Sequence, residues 1–406
     1  MPPSLPPLRI GHQLRLLQGA TQFIPALVEA IDEAREEVRL ETYIFDFQGH
    51  GVEVAYALER AARRGVSVKL VVDGFGTPPL PPMWAERFLD TGVDWRVYAP
   101  LGRFGVLNLG SWRRLHRKLA MIDGRIGFCG GINILDDEYD QSGPTRLPPR
   151  LDFSVQVTGP LVEQIGDTMR RLWQRMQAMR EVRDARLKGA LQTLRAAGRA
   201  SAPPVEKLPT PDGRGARAAL VLRDNLRNRT RIERAYLRAI GRAREEIVIA
   251  NAYFVPGRKM RRALVTAARR GVKVTLLLQG RYESFMQYYA SRSVYGTLLR
   301  SGAQIHEYAP TFLHGKVAVI DARWATVGST NLDPLSFLLA REANVVVEDK
   351  GFAGQLRSRL MEAITQHGIA VDPKTFMNRP ITRRVLEWVG LTATRLAILV
   401  QGKNYL

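Results

Sequence analysis

Two segments of the chain carry the same pattern of side chains that could do chemistry. Each segment contains a histidine, then a lysine, then an aspartate, with the spacing His-x-Lys-x-x-x-x-Asp. The separation between equivalent residues of the two segments is 198 throughout. A pattern that returns in constant register predicts one structural unit used twice. The residues are His116, Lys118 and Asp123 in the first segment, and His314, Lys316 and Asp321 in the second.

The apolar and β-branched residues that follow each histidine predict a β-strand, in which side chains two positions apart point to the same face. Histidine and lysine therefore project together. An imidazole can attack an electrophile or transfer a proton, and a neighbouring ammonium group can bind anionic oxygens in a transition state. This combination indicates chemistry on a phosphate ester. One copy alone would equally fit a structural histidine beside a solvated lysine, but two copies in register favour the catalytic interpretation.

A metal site is the main rival for a pair of histidines. It is disfavoured because the ammonium group beside each ring is a hydrogen-bond donor only and would repel a divalent cation. We therefore predict neither a metal nor a cofactor.

Small and amide residues follow the second strand of each motif and suit phosphate binding. Gly131 and Ser329 let the backbone approach a ligand closely. Asn133, Asn331 and Ser329 can donate hydrogen bonds to phosphate oxygens. Asp123 and Asp321 are counted with the catalytic motifs, although their position before a turn favours a role in supporting that turn.

With these residues the chain resembles the phospholipase D superfamily, whose signature is the doubled motif followed by Gly-Gly or Gly-Ser and an asparagine. Within that superfamily it is most similar to the bacterial cardiolipin synthases, particularly the B type. The similar positions are Tyr43 and the segments 252–257, 314–317 and 325–336. The resemblance covers most of the chain.

The resemblance implies a two-step reaction in which one histidine attacks phosphorus to form a phosphohistidine. The other histidine protonates the leaving alcohol and then deprotonates the acceptor. By analogy with relatives, His116 is expected to be the nucleophile and His314 the acid and base. Lys118 and Lys316 would bind the phosphoryl oxygens. Such covalent chemistry predicts ping-pong kinetics.

The resemblance also implies that each histidine is oriented by an acidic residue that follows the motif of the other half. The matching positions are Asp152 and Glu342. A carboxylate at Nδ1 would fix which ring nitrogen faces phosphorus and would stabilise the imidazolium. Each residue could instead be an ordinary surface acid at the start of a strand.

The implied activity is that of a cardiolipin synthase, which transfers a phosphatidyl group between two phosphatidylglycerol molecules and releases glycerol. Water as the acceptor would instead give phosphatidic acid, so a phospholipase D is one alternative. A nucleic-acid phosphodiesterase is another, although nuclease relatives often carry one motif and dimerise. A basic scaffold without activity would not explain two intact motifs.

The formal net charge of +21 predicts a polyanionic partner, which could be an anionic membrane or nucleic acid. The resemblance favours anionic phospholipids, namely phosphatidylglycerol and cardiolipin, at a membrane surface, and makes nucleic acid an unlikely partner. The oligomeric state stays open. No uninterrupted run of ~20 apolar residues suits a bilayer span, and the proline-rich start does not fit a secretory signal. A peripheral protein on the cytoplasmic side of the inner membrane is expected.

Alternating apolar strands and helices predict an α/β fold. We expect two similar phospholipase D-like halves, each a mostly parallel sheet with helices on both faces, related by pseudo-two-fold symmetry. His116 and His314 should then meet in a cleft between the halves. The loop 101–114 is a candidate for a membrane-contacting lip, or it packs on its own domain, and the loop 135–149 is a candidate lid. The predicted divisions are 1–199 for the first half, 200–217 for a linker, 218–370 for the second half and 371–406 for an amphipathic tail.

Overall fold

The computed structural model describes residues 4–100, 113–138, 148–183, 215–224, 228–282, 284–333 and 340–400. Most of the predicted lip, lid and linker, at 101–112, 139–147 and 200–214, lies outside the described residues. The predicted boundaries of the halves and of the tail therefore stay predictions.

The first half alternates strands and helices before it reaches the first motif. Its elements are β1 (Arg9–Gln18), α1 (Gly19–Asp32), β2 (Glu37–Thr42), α2 (His50–Arg63), β3 (Ser67–Asp73), α3 (Pro82–Thr91), β4 (Asp94–Tyr98), β5 (Arg114–Leu115), β6 (Lys118–Ile122), β7 (Ile126–Gly130), β8 (Phe153–Thr158) and α4 (Pro160–Arg183).

The second half repeats this order and adds elements at its end. They are β9 (Ala216–Arg223), α5 (Arg231–Arg242), β10 (Glu246–Asn251), α6 (Arg258–Arg269), β11 (Lys273–Gln279), α7 (Phe285–Arg292), α8 (Tyr295–Leu299), β12 (Gln304–Tyr308), β13 (Lys316–Ile320), β14 (Trp324–Gly328), β15 (Ala340–Glu348), α9 (Lys350–His367), β16 (Gly368–Ala370), α10 (Pro373–Met377) and α11 (Ile381–Val400).

The prediction of two similar α/β halves is confirmed, because the sheet order is the same on both sides of its centre. One half runs β1-β8-β7-β6-β2-β3-β4 and the other runs β9-β15-β14-β13-β10-β11-β12. Strands β1 and β9 pair with each other in antiparallel orientation and join the two halves into one sheet. A pseudo-two-fold axis therefore passes between β1 and β9.

The expectation of a mostly parallel sheet was wrong, because the sheet is mixed. Only the strands joined by helical crossovers are parallel, namely β2-β3-β4 and β10-β11-β12, apart from the short β5 beside β15. The motif strands belong to hairpins: Asp123 and Gly124 have φ of 50° and 66°, and Asp321 and Ala322 have φ of 50° and 45°. Two successive positive φ angles form a turn that reverses the chain, so β6 runs antiparallel to β7 and β13 to β14.

Three main apolar cores hold the fold together. One core lies under the helices of the first half and a second under the helices of the second half. The third joins the halves, because it contains buried residues of β6, β7 and β8 together with β13, β14 and β15. Cys129 Sγ lies 3.8 Å from the carbonyl oxygen of Ala343 across this interface. The two motif hairpins are therefore packed back to back, which places their histidines near each other.

Candidate active site

Each motif histidine is positioned by backbone from the opposite half. Strand β5 pairs with β15, and the His116 amide donates to the carbonyl oxygen of Arg341 at 3.1 Å. In the second half the His314 amide donates to the carbonyl oxygen of Leu151 at 2.9 Å. The interface between the halves thus fixes both histidines, and neither half positions its histidine alone.

The His116 ring is held by a buried carboxylate. Its Nδ1 lies 3.0 and 3.1 Å from the two carboxylate oxygens of Glu342, whose side chain is 0% exposed. The Ser329 hydroxyl donates a further hydrogen bond to Glu342 Oε2. An ionised Glu342 accepts a hydrogen bond from the Nδ1–H group, which keeps the proton on Nδ1 and leaves Nε2 as the ring atom with a lone pair for phosphorus.

The His314 ring has a matching partner in Asp152, whose Oδ2 lies 2.5 Å from Nδ1. Gly131 stands where the other half has Ser329, so the second donor to Asp152 is not a serine hydroxyl but the backbone amide of Phe153, at 2.8 Å from Oδ1. A Cβ at Gly131 would lie only 2.3 Å from Asp152 Oδ1, so glycine leaves room for the carboxylate. The structure therefore brings both predicted acids to the histidine of the other half, and the two pairs differ in their supporting residue.

The two lysines lie beside the histidines and are buried. Lys118 Nζ donates to the carbonyl oxygen of His116 at 2.7 Å, and Lys316 Nζ donates to that of His314. After burial, the largest effect on the pKa of His314 is the positive charge of Lys316, followed by that of Lys118. The charges of both motifs act on the same ring, which places the motifs in one site.

Burial shifts the pKa of several groups in this site. Burial lowers the pKa of His116 and of His314, and for His116 this favours the neutral ring that can attack phosphorus. It lowers the pKa of Lys118 to about 7, even though Glu342 favours the charged form. It raises the pKa of Asp152 to about 6.

Glu342 behaves differently from Asp152. Burial alone would raise its pKa, but the positive charge that His116 can carry, Lys118 and the hydrogen bond from Ser329 together lower it. Glu342 is therefore the firmly ionised carboxylate of the two.

These shifts predict a bell-shaped dependence of kcat/KM on pH. Below about pH 6, Asp152 becomes protonated and no longer holds His314 as a carboxylate. Above about pH 7, Lys118 loses the charge that binds phosphoryl oxygens. We expect the maximum between these limits, measured as initial rates on phosphatidylglycerol in mixed micelles. Asp152→Asn should remove the acid limb. An acid limb that persists unchanged in this variant would contradict the assignment to Asp152.

Among the described residues, the predicted phosphate-binding amides form no hydrogen bond to the histidines. Asn133 Oδ1 accepts a hydrogen bond from the Ile44 amide at 3.2 Å. Asn331 is buried, and within the described ranges its Oδ1 accepts no hydrogen bond. Their role as phosphate donors therefore stays a prediction, whereas Ser329 is placed against Glu342.

The two motif aspartates lie at the far ends of β6 and β13 from the histidines. The Asp123 carboxylate accepts hydrogen bonds from the amides of Arg35, Glu36 and Glu37 at 2.8–2.9 Å. Asp321 accepts three equivalent bonds from residues 244–246. The structure therefore separates both aspartates from the reacting groups, because these bonds fix the starts of β2 and β10 and leave the carboxylates directed away from the cleft.

Tyr43 is a site residue whose role the sequence did not reveal. Its ring centroid lies 4.8 Å from that of His116 at an interplanar angle of 63°, and Lys118 Nζ lies 5.3 Å from the Tyr43 ring. Burial raises the pKa of its hydroxyl to about 12, so the ring stays neutral. It limits the movement of His116 and covers Lys118 with its π face.

The described residues contain no group of three or more His, Cys, Asp or Glu side chains that could hold a metal ion. The residues available to a substrate are two imidazoles and two ammonium groups. These suit covalent phosphoryl transfer, in which one ring attacks phosphorus, the other moves a proton, and the lysines bind the non-bridging oxygens.

Several known proteins are similar to this chain. A family model described as "Cardiolipin synthase, PLD-like domain" matches residues 27–143 and 236–364. Cardiolipin synthase B of Escherichia coli K12 is 36% identical over 398 residues, which cover 96% of this chain and 87% of that protein. Cardiolipin synthase A of Erwinia tasmaniensis is 29% identical over 93% of this chain and 74% of that protein. The crystal structure of phosphatidylserine synthase from Haemophilus influenzae has the same fold, with a TM-score of 0.69 at 13% identity over 96% of each chain.

Proposed function

The chain belongs to the phospholipase D-like cardiolipin synthase family, and on this basis we propose that it is a phosphatidyltransferase that forms cardiolipin from two molecules of phosphatidylglycerol. The resemblance found in the doubled motif is confirmed. The observation that carries the proposal is one site in which each histidine is held by a carboxylate from the opposite half.

In the first step, His116 Nε2 attacks the phosphorus of one phosphatidylglycerol. The P–N bond forms as the P–O bond to the headgroup glycerol breaks, and glycerol leaves with a proton supplied by His314. Glu342 stabilises the positive charge on the attacking ring. Lys118 and Lys316 bind the phosphoryl oxygens.

In the second step, the headgroup hydroxyl of another phosphatidylglycerol attacks the phosphohistidine. His314 takes the hydroxyl proton, the new P–O bond forms, and the P–N bond to His116 breaks. The product is cardiolipin, and both histidines return to their starting state. Water in place of this hydroxyl would give phosphatidic acid, so the acceptor decides between synthase and phospholipase D.

A membrane-docking face on α11 supports an action at a lipid surface. The face is formed by Ile381, Val385, Trp388, Val389 and Leu396, whose exposed fractions range from 38% to 76%. The opposite side of α11 is buried yet carries polar or small residues: Glu387 bonds to Arg379, Thr394 bonds to the carbonyl of Gly390, and Gly390 packs on Tyr289 of α7.

This arrangement reverses the usual one, in which the apolar side of a surface helix faces the protein core. Arginines border the docking face, and burial, followed by the positive charge of Arg395, lowers the pKa of Arg261. An anionic lipid surface would cover the apolar side chains and relieve this repulsion. No described helix combines the length and apolar character that a bilayer span requires. We propose that the docking face of α11 holds the protein peripherally at the inner membrane, on its cytoplasmic side.

The proposed function is tested by product analysis with vesicles. Wild-type protein and phosphatidylglycerol vesicles should give cardiolipin and glycerol in equal amounts. The protein should also float with these vesicles and not with phosphatidylcholine vesicles. Phosphatidic acid as the sole product would make the protein a phospholipase D. Cleavage of single-stranded DNA with lipid left intact would favour the nucleic-acid alternative.

A further inference from the structure

Each half presents an arginine stacked on a phenylalanine close to its catalytic histidine. In the first half the guanidinium carbon of Arg114 lies 5.0 Å from the centroid of Phe75. In the second half that of Arg281 lies 5.2 Å from the centroid of Phe312. The arginine and the phenylalanine have exchanged places between the halves. Phe312 lies two residues before its histidine, as Arg114 does in the first half. Arg281 lies where the first half has Phe75.

The residues before these stacks are also equivalent, as their hydrogen bonds show. Asp73 ends β3, and its carboxylate accepts from the Leu115 amide at 2.7 Å. Gln279 ends β11, and its side-chain oxygen accepts from the Leu313 amide at 3.1 Å. Both side chains thus hold the residue that precedes the catalytic histidine, and Gln279 takes the place of Asp73.

This exchange changes the charge on one side of the cleft. Asp73 forms a 3.4 Å ion pair with Arg114 and balances its charge. Gln279 is neutral, and across the described ranges Arg281 forms no ion pair and only a 3.4 Å hydrogen bond to the carbonyl of Pro310. The side-chain nitrogen of Gln279 is buried, and none of the described residues offers it a hydrogen bond. The His314 side of the cleft therefore has an arginine whose charge is not balanced by an acid, whereas on the His116 side Asp73 balances the charge of Arg114.

A second arginine strengthens this charge. The guanidinium carbon of Arg150 lies 5.7 Å from the centroid of Phe312, so two arginines share one aromatic ring. The Nε atom of Arg150 is buried and has no hydrogen-bond partner among the residues that the structure describes. Its charge reaches Asp137, Asp152 and His314, yet within the part of the chain that the structure describes it makes no ion pair with either acid.

We propose that Arg281 and Arg150, which both contact Phe312 two residues before His314, form a second anion site that binds the phosphodiester of the acceptor phospholipid. The inference rests on the proposed function and names the acceptor site of that reaction. Guanidinium groups suit this task because they present several donors to phosphate oxygens and stack on aromatic rings.

The chemistry of the transfer requires such a site. The two lysines bind the phosphoryl group that reacts. The phosphate of the acceptor phospholipid, which does not react, is then left without a cationic partner. That phosphate lies one glycerol beyond the attacking hydroxyl, whose proton goes to His314 as the new P–O bond forms and the P–N bond breaks. A cationic site beside His314 would hold the hydroxyl against this base. It would thus favour a phospholipid acceptor over water.

The test compares three acceptors for the same phosphohistidine. Labelled glycerol exchanged into phosphatidylglycerol reports transfer to a neutral acceptor. Glycerol 1-phosphate is a soluble acceptor that carries a phosphate, and cardiolipin formation reports the lipid phosphodiester. Arg281→Gln should lower the ratio of anionic to neutral transfer by about tenfold to hundredfold for both anionic acceptors. Gln279→Glu should also lower the ratio of anionic to neutral transfer, because the new glutamate supplies the carboxylate that the first half has at Asp73.

Arg269→Gln is the matched control, because it removes the same charge from the exposed end of α6. Arg269 precedes the start of β11, whereas Gln279 is at the end of that strand. It should leave the ratio within about twofold of wild type. A parallel fall of all three transfers in Arg281→Gln, or a loss confined to the lipid acceptor, would overturn the anion site. A wild-type protein that exchanges glycerol but forms no cardiolipin would refute the proposed function, and the glycerol 1-phosphate ratio would still decide the site.

Discussion

His116→Ala should lose cardiolipin synthesis by a factor of at least about 10³, because the covalent intermediate cannot form without its nucleophile. The expected result is no glycerol release and no labelled protein after incubation with phosphatidylglycerol labelled at phosphorus. The ring is largely buried between Tyr43 and Glu342, so folding of the variant is checked by its thermal unfolding transition.

His314→Ala separates the two roles. With phosphatidylglycerol it should be as inactive as the first variant, because glycerol needs a proton to leave. A phosphatidyl ester of p-nitrophenol needs no such proton, so His314→Ala should still release p-nitrophenol and accumulate labelled phosphohistidine. If His116→Ala still released p-nitrophenol and accumulated phosphohistidine while His314→Ala did not, the two histidines would have exchanged roles.

The convergence of the two histidines could be predicted from sequence, because a repeat in constant register requires two similar units. The carboxylates could not be derived from spacing. Asp152 lies 162 residues from His314 and Glu342 lies 226 from His116, and only the resemblance to a family placed them together. The structure supplies the reason, which is that β5 and β15 pair across the interface.

The sheet shows where local pattern was insufficient. Apolar strands alternating with helices predicted parallel pairing, and this held for β2-β3-β4 and β10-β11-β12. The hairpins depend on positive φ angles at Asp123 and Asp321, and neither aspartate is a residue that demands such an angle. Their conformation is stabilised by backbone amides distant in sequence, which no local pattern reveals.

The acceptor site was also hidden from sequence. Its signal in the sequence is that Gln279 stands where the first half has Asp73. This equivalence is not visible in the sequence, because the loops of the two halves differ in length. The equivalence of the two residues is established only by the amides that they accept from, Leu115 and Leu313. Tyr43 was noted for its resemblance to relatives, and only the fold shows that it contacts His116.

Glu342→Gln is expected to reduce kcat by about 10³-fold to 10⁴-fold while the fold is kept. The amide has the shape of the carboxylate, and the Ser329 hydroxyl can turn to accept where it now donates. The catalytic loss arises because an amide nitrogen facing Nδ1 makes that atom an acceptor. The proton then moves to Nε2, the atom that must attack phosphorus. The imidazolium formed during attack also loses its counter-charge.

Ser329→Gly is the matched control for this carboxylate, since glycine is the natural residue at Gly131 in the other half. It removes one hydrogen bond and leaves Glu342 charged, so a loss of only about tenfold is expected. The rate of phosphohistidine formation, measured by rapid quench, should be highest in the wild type, lower in Ser329→Gly and lowest in Glu342→Gln. If Glu342→Gln slowed only the second step, with the phosphohistidine formed at the wild-type rate, Glu342 would serve acceptor activation and His314 would become the candidate nucleophile. The two variants together therefore test whether the more firmly ionised carboxylate belongs to the attacking histidine.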